Sequence, residues 1–155
     1  MSFPKKRQLI EYIDEIKQAT ADIKSFTNDL SYEQFTSNRM AMLATLKAVE
    51  VIGQACWEVR EHYRDFLERD QSLLMVVNQA RAMRNRTAHN YNATDYRLVY
   101  GVKDAAPHLL AKMENAYQIH MIGQLSKDGL STAGLGVSLQ GVKKSKPKDP
   151  DVEPD

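Results

Sequence analysis

Leu43-Ala44-Thr45-Leu46-Lys47-Ala48-Val49-Glu50-Val51-Ile52-Gly53-Gln54-Ala55-Cys56-Trp57-Glu58-Val59 places an apolar residue at nearly every third or fourth step. Leu43, Leu46, Val49, Ile52, Cys56 and Val59, continued by Tyr63, therefore share one broad face of an α-helix. We expect this helix to run from about Arg39 to Glu68. Gly53 lies in its interior, where glycine costs ~1 kcal/mol relative to alanine. Close approach of another helix is the expected reason, either within the fold or across a dimer. Trp57 and the charged positions Glu58, Arg60, Glu61, Arg64 and Asp65 read as a solvated face with one amphipathic anchor.

Toward the N-terminus, Leu9, Ile13, Ile16, Ile23 and Phe26 recur at helical steps and mark a helix from Lys5 to about Asp29. Pro4 suits a helix start, where its missing N–H costs nothing. Asn28, Asp29 and Leu30 break the pattern. Ser31 followed by Gln34 forms a capping box, which predicts a short turn of helix over Ser31 to Phe35. Thr36, Ser37 and Asn38 make the next polar boundary.

Toward the C-terminus, Asp70 is placed to cap a helix beginning near Gln71, with Leu74, Val77, Ala80 and Met83 or Arg84 at helical spacing. That helix should fray near His89, because Asn90 favours a left-handed cap. Thr94 or Asp95 then caps a last helix with Leu98, Val102, Ala105, Leu109 and Met113 as its stripe, kinked at Pro107. The periodicity fades after about Gln118. From Gly123 the chain is rich in Gly, Ser, Lys and Pro, a composition that buries too little surface to order itself. The expected organisation is a helical domain over residues 1–120 and a disordered tail over 121–155. With no alternating strand pattern, repeat or glycine-rich phosphate loop, the fold class is all-α: an antiparallel bundle of four to five helices.

A chain of 155 residues suffices for one domain with a real core. Its net charge of +1 advertises no general affinity for nucleic acid, so any such signal must be local. One cysteine, Cys56, excludes an intramolecular disulfide and fits a reducing, cytoplasmic setting. No Cys-x-x-Cys or His-x-x-x-His pair is present, and neither a metal nor another cofactor is expected. No apolar run approaches the ~20 residues of a membrane span, so no membrane partner is expected.

The densest chemistry is Arg84-Asn85-Arg86-Thr87-Ala88-His89-Asn90-Tyr91. An arginine and a histidine so close together suit phosphate chemistry, one holding negative charge while the other moves a proton. On an unbroken helix, however, Arg84 and His89 point ~140° apart, whereas Asn85 and His89 share a face. Joint action of Arg84 and His89 requires either a loosened helix end or a second copy of the chain. Each residue also has an ordinary alternative. Arg84 and His89 suit the negative end of a helix dipole, Asn85 and Asn90 suit caps, and Tyr91 suits a half-buried aromatic position.

Taken with its flanks, the chain resembles the HepT family of HEPN-domain toxins. The family motif is Arg, four residues, His, one residue and Tyr, and Arg84, His89 and Tyr91 meet it, with Asn85 matching the usual Arg-Asn start. Phe26 to Phe35 is similar to the family's break after its first helix. Ala48 to Ala55 is similar to its Ile-Glu-x-Ile-Gly-Glu-Ala stretch, and Asp95 with Leu98-Val99-Tyr100 and Pro107 to its last helix. The linker Tyr63 to Leu73 departs from the family by lacking Pro-x-x-Pro-Trp.

The resemblance implies a toxin of a toxin–antitoxin system, a metal-independent endoribonuclease acting as a homodimer whose two motifs line one cleft. It implies His89 as general base or acid, Arg84 as the holder of the phosphate oxygens, and Asn85 as a support for His89. Arg81, Arg86 and Arg97 would supply a local positive strip for RNA. Tyr91 would accept AMP from an MntA-type nucleotidyltransferase antitoxin, which silences the toxin. Two other readings stay open: a non-catalytic HEPN protein that presents substrate to a minimal nucleotidyltransferase, and a helical dimerisation module with no RNA role.

Overall fold

The computed structural model describes residues 5–87 and 93–129, and every regular element among them is helical. Six helices follow in order: α1 (Leu9–Thr27), α2 (Tyr32–Ser37), α3 (Arg39–His62), α4 (Arg64–Glu68), α5 (Gln71–Thr87) and α6 (Tyr96–Lys127). The chain divides into a unit over Met1–Met121 and a second over Ile122–Asp155.

In the first unit α3 is the central helix, packed along α1 and along α5. Its buried residues Leu46, Val49, Ile52, Cys56 and Val59 are those the apolar period selects. Ile13, Ile16 and Ile23 of α1, Leu73 and Val77 of α5, and Val99 and Met113 of α6 complete the core, together with Phe35 and Leu67. Each such side chain contributes about 1.5–3 kcal/mol through burial.

Ser31, Asp70 and Asp95 close helix starts as the sequence predicts, and Asn38, read only as a polar boundary, closes another. Ser31 Oγ accepts from the Gln34 N–H at 3.2 Å, and Gln34 Oε1 accepts from the Ser31 N–H at 2.8 Å. Asn38 Oδ1 accepts from Ala41 N at 3.0 Å and so caps α3. Asp70 Oδ1 accepts from Ser72 N at 2.9 Å and Leu73 N at 3.1 Å, capping α5. Asp95 Oδ1 accepts from Arg97 N at 2.9 Å, which makes it the cap of α6.

Four expectations need correction. The first helix starts at Leu9 rather than Lys5, with the Glu11 carboxylate accepting the Gln8 N–H. The long second helix breaks at Tyr63. There the Tyr63 hydroxyl donates to the Arg7 carbonyl at 2.8 Å and its ring packs edge-on to Tyr12, while Phe66 and Leu67 turn inward beyond the break. Tertiary contacts thus override a helical period that continues without interruption in the sequence. On α6 the buried stripe is Val99, Ala106, Leu109 and Met113, and Leu98 is 44% exposed. Both stripes have helical spacing, and packing selected the one rotated by a residue in the first half. Phe26 and Leu43 likewise lie at the margins of their helices' buried faces, not in the core.

The last helix also outlasts its apolar period, running through Gly123 to Lys127, with Gly129 at φ 71 just beyond. Ile119 is 63% exposed, so the fading stripe marks the end of the core and not the end of the helix. The helix runs unbroken through Pro107, which leaves the Lys103 carbonyl without its usual donor. The expected disordered tail, apart from residues 121–129, lies outside the described residues, as does the predicted fraying around His89. Among the described residues no helix is long and apolar enough to cross a membrane.

Candidate active site

The geometry of the site begins at Gly53. Here α5 crosses α3 so closely that a Cβ on Gly53 would overlap Arg84 Cβ and stand 3.0 Å from the Ala80 carbonyl oxygen. The close approach expected for this glycine is therefore made within the fold. Its partner is the residue that opens the Arg-x4-His-x-Tyr motif.

Arg84 is half-buried at this crossing and lines a polar cleft of about 230 Å³ with Glu15 of α1 and Lys47, Glu50, Val51 and Gln54 of α3. Lys47 Nζ lies 3.8 Å from the Glu50 carboxylate; the Glu50 side chain is only 18% exposed, whereas Lys47 is 77% exposed. Gln54 Nε2 donates to Glu58 at 3.0 Å, and Glu58 in turn lies 3.2 Å from His62. Among the described residues the Arg84 guanidinium has no carboxylate within ion-pair distance. Two cations and two carboxylates thus line one small cleft.

Thr87 Oγ1 donates to the Arg84 carbonyl at 3.1 Å in the last turn of α5, tying the end of that helix to itself. Asn85 and Arg86 are exposed on this turn. His89 and Tyr91 lie outside the described residues.

The three arginines expected to form a positive strip occupy different settings. Arg81 is half-buried: its Nη1 donates to Asn78 Oδ1 at 3.4 Å, an oxygen that Arg60 also reaches, and its Nε is buried without a hydrogen-bond partner. It stands near Cys56, whose thiol burial pushes up to about 12, with the Arg81 charge pulling the other way. Arg97 is exposed at the start of α6, with its guanidinium 5.0 Å over the Tyr32 ring. Neither Arg81, Arg86 nor Arg97 lines the Arg84 cleft.

Sequence reasoning did not single out Glu15, Lys47, Glu50 or Gln54 as parts of the site. The legible signal was the polar stripe Lys47, Glu50, Gln54 and Glu58, spaced three and four apart beside Gly53. A second cavity, of about 240 Å³ between α3, α5 and α6, is lined by Val49, Ile52, Val76, Met83 and other largely apolar groups, with Gln79 and His108 but no arginine, lysine or carboxylate.

An all-α bundle that carries an Arg-x4-His-x-Tyr motif at the end of a helix packed on its central one defines a HEPN-type protein. The chain belongs to the family described as Ribonuclease HepT-like, which matches residues 16–116. It is 28% identical over 110 residues to a Methanocaldococcus jannaschii protein provisionally named RNase MJ1380, covering 70% of this chain and 96% of that one. It is likewise 28% identical over 110 residues, with the same coverage of 70% and 96%, to a Thermococcus cleftensis protein provisionally named ribonuclease HepT. A further M. jannaschii protein, provisionally named RNase MJ0125, is 30% identical over 95 residues, covering 61% of this chain and 78% of that one. No solved structure matches.

Proposed function

We propose that this ribonuclease-family chain is the toxin of a toxin–antitoxin pair: a metal-independent endoribonuclease that cuts RNA at a cleft shared by two copies. The observation that carries this reading is the setting of Arg84, which Gly53 admits at the α3–α5 crossing and which lines a cleft with Lys47, Glu50 and Gln54.

In the proposed reaction, His89 of one copy takes the proton from a ribose 2′-OH. The freed oxygen attacks the adjacent phosphorus, and the bond from phosphorus to the 5′-oxygen breaks. The leaving 5′-oxygen takes up the proton from the imidazolium so formed, since an imidazole works in both directions. The products are a 2′,3′-cyclic phosphate and a 5′-OH end. An unperturbed imidazole titrates near ~6.5, so both protonation states are populated near neutral pH. Arg84 holds the phosphate oxygens as negative charge accumulates, through bidentate charge-assisted hydrogen bonds. Asn85, four positions before His89, supports the imidazole from one turn back. The exposed Arg86 and Arg97 supply charge for the RNA backbone beyond the cleft. The half-buried Arg81 shares the Asn78 oxygen with Arg60 of α3.

Silencing is proposed to occur at Tyr91. An MntA-type nucleotidyltransferase partner would transfer AMP from ATP to its hydroxyl, the α-phosphorus exchanging pyrophosphate for the tyrosine oxygen, and so place a phosphodiester and an adenosine two residues from His89. The added negative charge would oppose entry of the scissile phosphate.

The test is incubation of purified protein with mixed RNA in EDTA, followed by analysis of the new ends. Cyclic phosphate ends are expected from the wild type, and Arg84→Ala or His89→Ala, each still folded, should lower the rate by about 100-fold or more. Intact RNA from a protein whose mass shows Tyr91 unmodified would replace the nuclease with the non-catalytic substrate-presenting reading.

A further inference from the structure

We infer that Gly53 is a positioning residue for Arg84: the absent side chain on α3 sets how deeply α5 seats, and so where the guanidinium opens into the cleft beside Glu50 and Gln54. This rests on the nuclease reading for its catalytic consequence, but the contact itself is independent of any activity.

The nature of the contact supports this role. The atoms a Cβ at residue 53 would meet are Arg84 Cβ, Arg84 Cγ at 3.1 Å and the Ala80 carbonyl oxygen at 3.0 Å. None of these is the far end of a flexible side chain. Arg84 Cβ is fixed to its backbone, and the Ala80 oxygen is part of α5 itself. A side chain at residue 53 therefore cannot be accommodated by a change of rotamer; α5 must move away from α3.

Such a movement acts directly on the cleft. Glu50 and Gln54 flank Gly53 on α3, one turn before it and one residue after it, and line the cleft with Arg84. Any widening of the crossing changes the position of the guanidinium relative to those groups and to a phosphate seated between them. Displacement of a reacting group by about 1 Å costs up to 100-fold in rate. Stability is a separate matter: glycine inside a helix is unfavourable in itself, so alanine at residue 53 would help an isolated α3. The structure keeps glycine where local helix propensity opposes it.

A double-mutant cycle of Gly53→Ala and Arg84→Gly on the full chain tests the inference, with kcat on RNA and the melting temperature as the two readouts. Gly53→Ala alone should lower kcat by about 100-fold with little change in KM, and should lower the melting temperature. In the Arg84→Gly background, where the Cβ overlap is gone and only the 3.0 Å approach to the Ala80 oxygen remains, Gly53→Ala should cost no further kcat and should lower the melting temperature less than it does in the wild type. Independent, multiplying losses of kcat would overturn the inference while leaving the nuclease intact, as would an unchanged kcat in Gly53→Ala. A wild type that leaves RNA whole removes the nuclease reading and the positioning role together. Should Gly53→Ala fail to fold, recovery of folding in the double variant supports the contact; continued failure overturns it, because the Ala80 backbone rather than Arg84 would then set how α5 seats.

Discussion

Cys56 and Arg81 show how far a single position departs from its exposed-state chemistry. The Cys56 thiol is buried in the core, and desolvation pushes its pKa from 9.0 up to about 12. It therefore stays a protonated, unreactive hydrophobe near neutral pH. Because the folded pKa is raised, its stabilising contribution is fully present below the unfolded pKa near 9.0 and declines as pH rises toward about 12. The denaturation midpoint should thus fall over that alkaline range, and Cys56→Ala should flatten the fall; identical pH profiles for the two proteins would count against it. Arg81, three residues before Arg84, was grouped with the RNA-contacting arginines on charge alone. Arg81 is half-buried, with its Nη1 on Asn78, whereas Arg86 and Arg97 are exposed, so residue type announces a charge but not its setting.

At the scale of the element, the starts of α2, α5 and α6 were legible because capping is local: Ser31 with Gln34, Asp70 and Asp95 act within three residues of themselves. Asp70 illustrates the energetics. Its carboxyl is held below the ordinary range, first by the Ser72 hydroxyl and then by the Leu73 N–H. Asp70→Ala should cost about 1 kcal/mol of stability, measured by urea denaturation near neutral pH. A depressed folded pKa places this contribution above the unfolded carboxyl value of 3.8, and it is lost as pH falls below that value. Wild type and variant should therefore converge in acid, and a gap that persists there would refute the capping role. Helix ends and helix rotation were less legible. The break at Tyr63 depends on Arg7 and Tyr12, residues more than forty positions away, and the stripe on α6 could be drawn through Leu98 or Val99 with equal periodicity.

For the whole molecule, the unresolved pairing is between Arg84 and His89, which an ideal helix sets ~140° apart. If two copies complete each other's sites, Arg84 of one works with His89 of the other. Arg84→Ala and His89→Ala proteins, each inactive alone, should then recover activity when mixed and allowed to exchange subunits. About a quarter of the wild-type rate is expected, since half of re-paired dimers are mixed and each of these holds one intact site. No recovery, with exchange demonstrated by mass, would confine both groups to one chain.

The sequence alone determined the all-α class, the apolar face of the long second helix, the caps Ser31, Asp70 and Asp95 and the resemblance to the HepT-like family, because periodicity, capping and short motifs are properties of neighbours along the chain. Only the tertiary structure decided which helix Gly53 admits, where the second helix breaks, which face of α6 is buried and which side chains of α3 surround Arg84. Those features depend on contacts between residues far apart in sequence, where several packings satisfy the same local rules and steric fit at each crossing selects one.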